Sequence, residues 1–196
     1  MNFSLLPLLG AIILLWTPGY LFFTARIRDR VLDTHGSNGL RLQRIAMTWQ
    51  HWMDGVRGFA GAYLLYNHAF LLERALRDAF LWEFGSLTAI LAVAVVIQVI
   101  YYHRHVYCLS PIFFLLGILF ALFTWWIIIH GIIAGLVFGR LANTSEAFFT
   151  IVAVVIAVLG YFIEDFQLEM GLVCALLLLP IVVSLLAKEN LVVALR

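Results

Sequence analysis

Charge is scarce in this chain, and the motifs that usually announce chemistry are missing from it. Asp, Glu, Lys and Arg make up only 12% of the 196 residues, and twelve basic against eleven acidic side chains leave a net charge of +1. A balance this even gives no cationic footprint for nucleic acid, so no nucleic-acid partner is expected. Cysteine is nearly absent. Cys108 and Cys174 belong to no Cys-x-x-Cys pattern, which excludes a disulfide scaffold and reads both as small buried apolar side chains. There is no GxxxxGK[ST], HExxH or GxSxG sequence, no selectivity filter, no set of intramembrane carboxylates and no convincing internal repeat. An enzyme is therefore not expected, and a channel starts with little support.

What is present is apolar. Hydrophobic residues account for 64% of the chain, aromatic residues for 15%, and the mean hydropathy is +1.04. Runs near 20 apolar residues match a hydrocarbon core about 30 Å thick, and in lipid the backbone must satisfy its own hydrogen bonds, so the runs read as helices. The expected fold is all-α: a single integral membrane domain over residues 1–196, with about six spans and no β-sheet. The spans fall near 5–24, 52–72, 85–102, 111–138, 147–163 and 171–186. Span four, the longest, should be unusually long or strongly tilted. The first run lacks a basic n-region and a small-x-small cleavage pattern, so it reads as a retained anchor.

Residues 25–51 form the one long hydrophilic stretch. It contains Arg26, Arg28, Arg30, Arg41 and Arg44, with Arg57 just beyond, and the positive-inside rule puts it in the cytoplasm, in a bacterial inner membrane. Six spans then place both termini on the opposite side. On that count Arg104 is the only further basic residue inside, while Arg74, Arg77, Arg140, Lys188 and Arg196 fall outside. Within the stretch, Asp33 to Gly39 has the composition of a turn. Leu42, Ile45, Ala46, Trp49, Met53 and Val56 recur at intervals of three and four, which describes an interfacial amphipathic helix over about Leu40 to Met53 leading into span two. It reads as a structural collar or, alternatively, a docking surface.

Small and polar residues inside the spans are the candidate sites. Asp54 and Arg57 lie at i, i+3 and read as a structural ion pair. Gly55, Gly58, Gly61 and Ala62 in span two, and Gly131, Gly135 and Gly139 in span four, are small residues that let another backbone approach, so both faces are expected to pack helices. Within the chain, the partner of the span-four glycines should be span two. Otherwise it should be another subunit.

His68 and His130 would lie at similar depth on spans two and four. They read as hydrogen-bonded bundle residues, as axial ligands to a haem or chlorophyll-type pigment, or as parts of a proton or substrate path with Asn67 and Gln98. No cofactor is assigned. His51, His103, His105 and Cys108 are metal-capable but show no established ligand spacing, so no metal is expected. Glu164, Asp165 and Glu169 read as a solvated acidic loop, and Pro180 as a tolerated bend.

Short loops, two small-residue faces and the lack of concentrated site chemistry point to a non-catalytic integral subunit that packs against and positions other subunits of a membrane complex. The expected partners are the bilayer and other membrane subunits, or copies of itself. The alternatives are a small haem- or pigment-binding membrane protein and a small oligomeric transporter or channel.

Overall fold

The computed structural model describes residues 5–18, 49–69, 77–103, 105–142, 145–163, 168–188 and 191–192, with the backbone alone at 50, 68–69, 77–81, 83, 101–103, 105–109, 139–142, 168–169 and 192. Among the described residues seven α-helices follow in order: α1 (Leu5–Trp16), α2 (Trp49–Leu64), α3 (Arg77–Val99), α4 (Ile112–Leu122), α5 (Trp125–Ala142), α6 (Ser145–Ile163) and α7 (Leu168–Ala187). A π turn, Leu65–Ala69, extends α2. The helical class holds, but the expectation of no β-sheet is corrected. Strands β1 (Ile100–His103) and β2 (His105–Leu109) pair antiparallel, and β3 (Leu191–Val192) pairs parallel to β2, in the order β1-β2-β3.

That small sheet fixes the direction of the helices. Ile100 lies opposite Cys108, and Cys108 lies opposite Leu191, so the ends of α3 and α7 and the start of α4 meet at one end of the bundle. The start of α6 joins them: Ser145 Oγ donates to Leu191 O at 3.2 Å, and Leu191 N donates to Glu146 Oε1 at 3.2 Å. We call this the sheet end. The far end holds the end of α6 and the start of α7, where a Cβ on Gly160 would strike Met170. Helix α1 runs antiparallel to α2, because Gly10 faces Leu64 while Gly61 faces Leu14 and Leu15. Helix α2 starts at the sheet end beside α4, with His51 and Trp52 against the Phe113 ring.

Two expectations are corrected here. The expected span four is two helices, because the chain breaks at Phe123, which is extended at φ −137° and ψ 162°. Phe123-Thr124-Trp125-Trp126 is a run of poor helix formers, and the Thr124 carbonyl starts a new helix by accepting from Ile127 N and Ile128 N. Helix α4 leaves the sheet end and α5 returns to it, so the break reverses the chain. Consequently the start of α1 lies at the far end and β3 at the sheet end.

Helix α1 also stops early. Proline cannot continue a helix and pushes the residue before it out of the α region, so Thr17-Pro18 ends α1 after 12 residues. The expected interfacial helix falls mostly on residues outside those described; the described part begins at Trp49. The acidic residues between α6 and α7 also lie outside them.

Two helical segments, Ser145–Ile163 and Met170–Ala187, are long and apolar enough to cross a membrane, while Leu5–Trp16, Phe84–Val99, Ile112–Leu122 and Trp125–Phe138 are apolar but shorter. Only 33% and 39% of the two long segments are buried within the structure. Their outward faces are apolar as well: Val154, Val158, Val182, Leu185 and Leu186 are all exposed. The interior is one contiguous apolar cluster that includes Leu15, Leu65, Leu91, Leu115, Phe148, Val152 and Leu177.

Candidate functional site

The most polar point in the described interior is built on Arg57. Its position one turn after Asp54 on α2 directs it toward the end of α1, and its side chain is buried, with 8% exposed. Nη2 lies 3.0 Å from Asp54 Oδ1 and donates to Gln98 Oε1 at 2.9 Å; Nη1 donates to the carbonyl of Thr17. Gln98, on the last turn of α3, turns its amide the same way, with Nε2 donating to Thr17 O at 2.9 Å and to Leu15 O at 3.1 Å. The Phe114 ring of α4 lies 5.2 Å from the guanidinium carbon.

The physical reason for this convergence is the end of α1. A helix leaves its last carbonyls without intrahelical partners, and Pro18 prevents the chain from supplying further amides. In an apolar surrounding each unsatisfied carbonyl costs several kcal/mol, so side chains must supply the donors. The planar guanidinium gives several donors in a fixed fork, and the negative end of the α1 dipole favours its charge. Asp54 then balances that charge. One guanidinium thus ties α1, α2, α3 and α4 together, its two Nη groups meeting one main-chain carbonyl, one amide oxygen and one carboxylate, with the Phe114 ring beside it.

The glycines set how closely the helices approach. A Cβ on Gly58 would strike the Phe114 carbonyl oxygen, one on Gly55 would meet the Phe113 carbonyl at 3.3 Å, and one on Gly117 would strike Gly55 O and lie 2.8 Å from Phe59 N. Helices α2 and α4 therefore touch backbone to backbone. Gly61 receives Leu15 of α1, and Ala62 is fully buried. The expected partner for the second glycine series is corrected. Gly131 faces Ile156 and Val152, and Gly135 faces Val152 and Phe148, all on α6, so the groove is filled within the chain and not by span two. Gly139 lies on α5 with its surroundings outside those described.

The histidines occupy different neighbourhoods. His68 falls in the π turn, which packs on α1 and α2, and its side chain is outside those described; His130 lies on α5, which packs on α6. His130 is exposed, its Nδ1 is 2.7 Å from Trp126 O, and its ring stacks on Trp126 at 5.7 Å. Asn67 Nδ2 donates to the Tyr63 carbonyl at 3.4 Å. Among the described residues no group of three or more His, Cys, Asp or Glu could hold a metal ion. Cys174 is a free thiol 3.6 Å from Ala153 O. Pro180 is accommodated inside α7.

Sequence reasoning singled out Asp54 and Arg57 by their spacing, but it missed what they serve. The acceptors at Leu15 and Thr17 are main-chain atoms with no sequence signature; the available signals were Pro18 after an apolar run and Gln98, a lone amide among apolar residues. Gly117 was missed, although Gly117 and Ala121 have the same spacing as Gly58 and Ala62. No family model matches this chain, and no curated protein or solved structure matches it.

Proposed function

We propose that this chain is a non-catalytic integral membrane subunit, a bundle whose helices cross the bilayer and whose outer faces pack against and position other subunits. The observation that carries this reading is the inversion of polarity. Arg57, Gln98 and Ser145, three of the four buried polar side chains among the described residues, tie separate elements together, while large apolar side chains face outward along α1, α3, α5, α6 and α7. In water such faces would aggregate; lipid and neighbouring apolar helices are the surroundings they fit. The face of α3 is the best candidate for a neighbouring helix. Trp82 and Val93 are exposed there, and Gly85 and Ala89, four apart, leave open space where a Cβ on Gly85 would meet nothing within 4 Å. The basic segment 25–51 faces the cytoplasm of a bacterial inner membrane in this reading.

The test is native mass spectrometry in mild detergent, combined with a photo-crosslinker at Ala89. A stoichiometric complex cross-linked through α3 is expected; a stable solitary monomer, cross-linked only to lipid, would reject the subunit reading.

A second reading is favoured by His130. The Trp126 carbonyl accepts from Nδ1, which leaves Nε2 as the lone-pair nitrogen of the neutral ring. That nitrogen suits an axial ligand to a haem or chlorophyll-type pigment. Purified protein would then absorb in the Soret region, and His130→Ala would remove the band.

A further inference from the structure

We infer that the chain crosses the membrane in an odd number of helical passes, with α4 and α5 forming a broken-helix hairpin, so that the sheet end and the C-terminus face the cytoplasm and the start of α1 faces the other side. The inference rests on the membrane reading above, and two independent observations carry it.

The first is geometric. The helices alternate in direction: α1, α3, α5 and α7 run toward the sheet end, and α2, α4 and α6 run away from it. The contacts that fix this are Gly61 with Leu15, Ile100 with Cys108, Cys108 with Leu191, and Ser145 and Glu146 with Leu191. With 11 residues α4 is about 16 Å long and with 18 residues α5 is about 27 Å, and because the chain reverses between them the pair adds no net crossing. The aromatic side chains agree with a reversal near the far interface. Trp125 and Trp126 at the start of α5 share that end with Trp82 at the start of α3 and Tyr161 at the end of α6, and all four are exposed. Trp49 and Trp52, also exposed, mark the sheet end. Indole and phenol rings collect at these two levels.

The second observation is charge, which played no part in assigning the directions. With span four as one crossing, seven basic residues fall on the side of the hydrophilic stretch and five on the other. Reversal at Phe123 assigns Arg140, Lys188 and, by sequence order, Arg196 to the side of the sheet end. By sequence order the proposed topology then assigns only Arg74 and Arg77 of the twelve basic residues to the far side, together with Glu73, Asp78, Glu83, Glu164, Asp165 and Glu169. A division of ten to two is the asymmetry that sets orientation, and it makes the sheet end the surface that meets the anionic cytoplasmic leaflet.

The experiment labels single cysteines, Lys188→Cys and Asp165→Cys, in the full chain expressed in bacteria. A membrane-impermeant maleimide is added before or after permeabilisation, with the unsubstituted chain as background. The inference expects the cysteine at 165 to label in intact cells and the one at 188 to label at least tenfold more after permeabilisation, with a fluorescent protein fused after Arg196 fluorescing. Label at 188 and protection at 165 in intact cells would overturn it and restore a six-span order. Equal labelling of both positions in broken cells, with the chain released by alkaline washing, would overturn the membrane reading itself.

Discussion

The half of the bundle around α2 and α4 and the half around α5 and α6 solve the same packing problem with different forces. In the first, Gly55, Gly58 and Gly117 bring two backbones into contact, and Arg57 and Gln98 satisfy the end of α1 with directed hydrogen bonds. In the second, Gly131 and Gly135 receive the side chains of Val152, Ile156 and Phe148, and the bond linking α6 to α7 is a weak thiol contact from Cys174. Directed polar contacts fix one arrangement, whereas side-chain packing can readjust. The first half should therefore be rigid and intolerant of substitution, the second adaptable.

The largest expected effect lies in the first half. Arg57→Met leaves Asp54 without its counter-charge and takes from Thr17 O one of its two donors, the other being Gln98 Nε2, and breaking a buried pair in this way costs about 3–5 kcal/mol. Thermal unfolding in detergent should register the loss, and the double variant Arg57→Met with Asp54→Leu should recover part of it. A single variant as stable as the parent would remove the node from the account. Next comes Gly117→Ala, whose methyl group meets the backbone of Gly55 and Phe59, at an expected cost of about 1–3 kcal/mol or more. Gly135→Ala meets Val152 Cγ2 at 2.5 Å and the Phe148 ring at 3.0 Å, side-chain atoms that can move, so its cost should be the smaller. Equal losses in the two variants would erase the distinction between the halves.

Gln98→Leu keeps the volume but strips two carbonyls of their amide donor, at about 1–3 kcal/mol. The same unfolding assay reads it, and no change would mean that Arg57 alone suffices at the end of α1. Gly85→Ala is the smallest case and has the opposite sign. With open space at its Cβ, it should be neutral or stabilising by up to about 1 kcal/mol through helix propensity, and a marked loss would show that a neighbour already fills the α3 face.

These contrasts also explain how much could be read in advance. Helical class followed from apolar runs, and the proximity of Asp54 and Arg57 from their i, i+3 spacing. The break at Phe123 was hidden because hydropathy is continuous from Ile112 to Phe138; what changes there is helix propensity, which hydropathy does not weigh. The sheet was hidden for a related reason. Tyr101 to Cys108 drew notice only for the metal-capable His103, His105 and Cys108, and its strand character appears only through the pairing of β1 with β2 and of Cys108 with Leu191. Partners of glycines are a tertiary property, so spacing marked Gly131 and Gly135 as contact positions but not α6 as what fills them.

The account depends above all on the outward apolar faces lying in lipid. Nitroxide labels placed singly at Val154 and Val158, exposed on α6, and at Val152 and Ile156, buried on the same helix, test this in reconstituted bilayers. Relaxation by oxygen, which concentrates in lipid, should exceed relaxation by a water-soluble nickel chelate at the two exposed positions, and both should be slow at the two buried ones. Stronger relaxation by the nickel chelate at Val154 and Val158 would place that face in water and contradict the account.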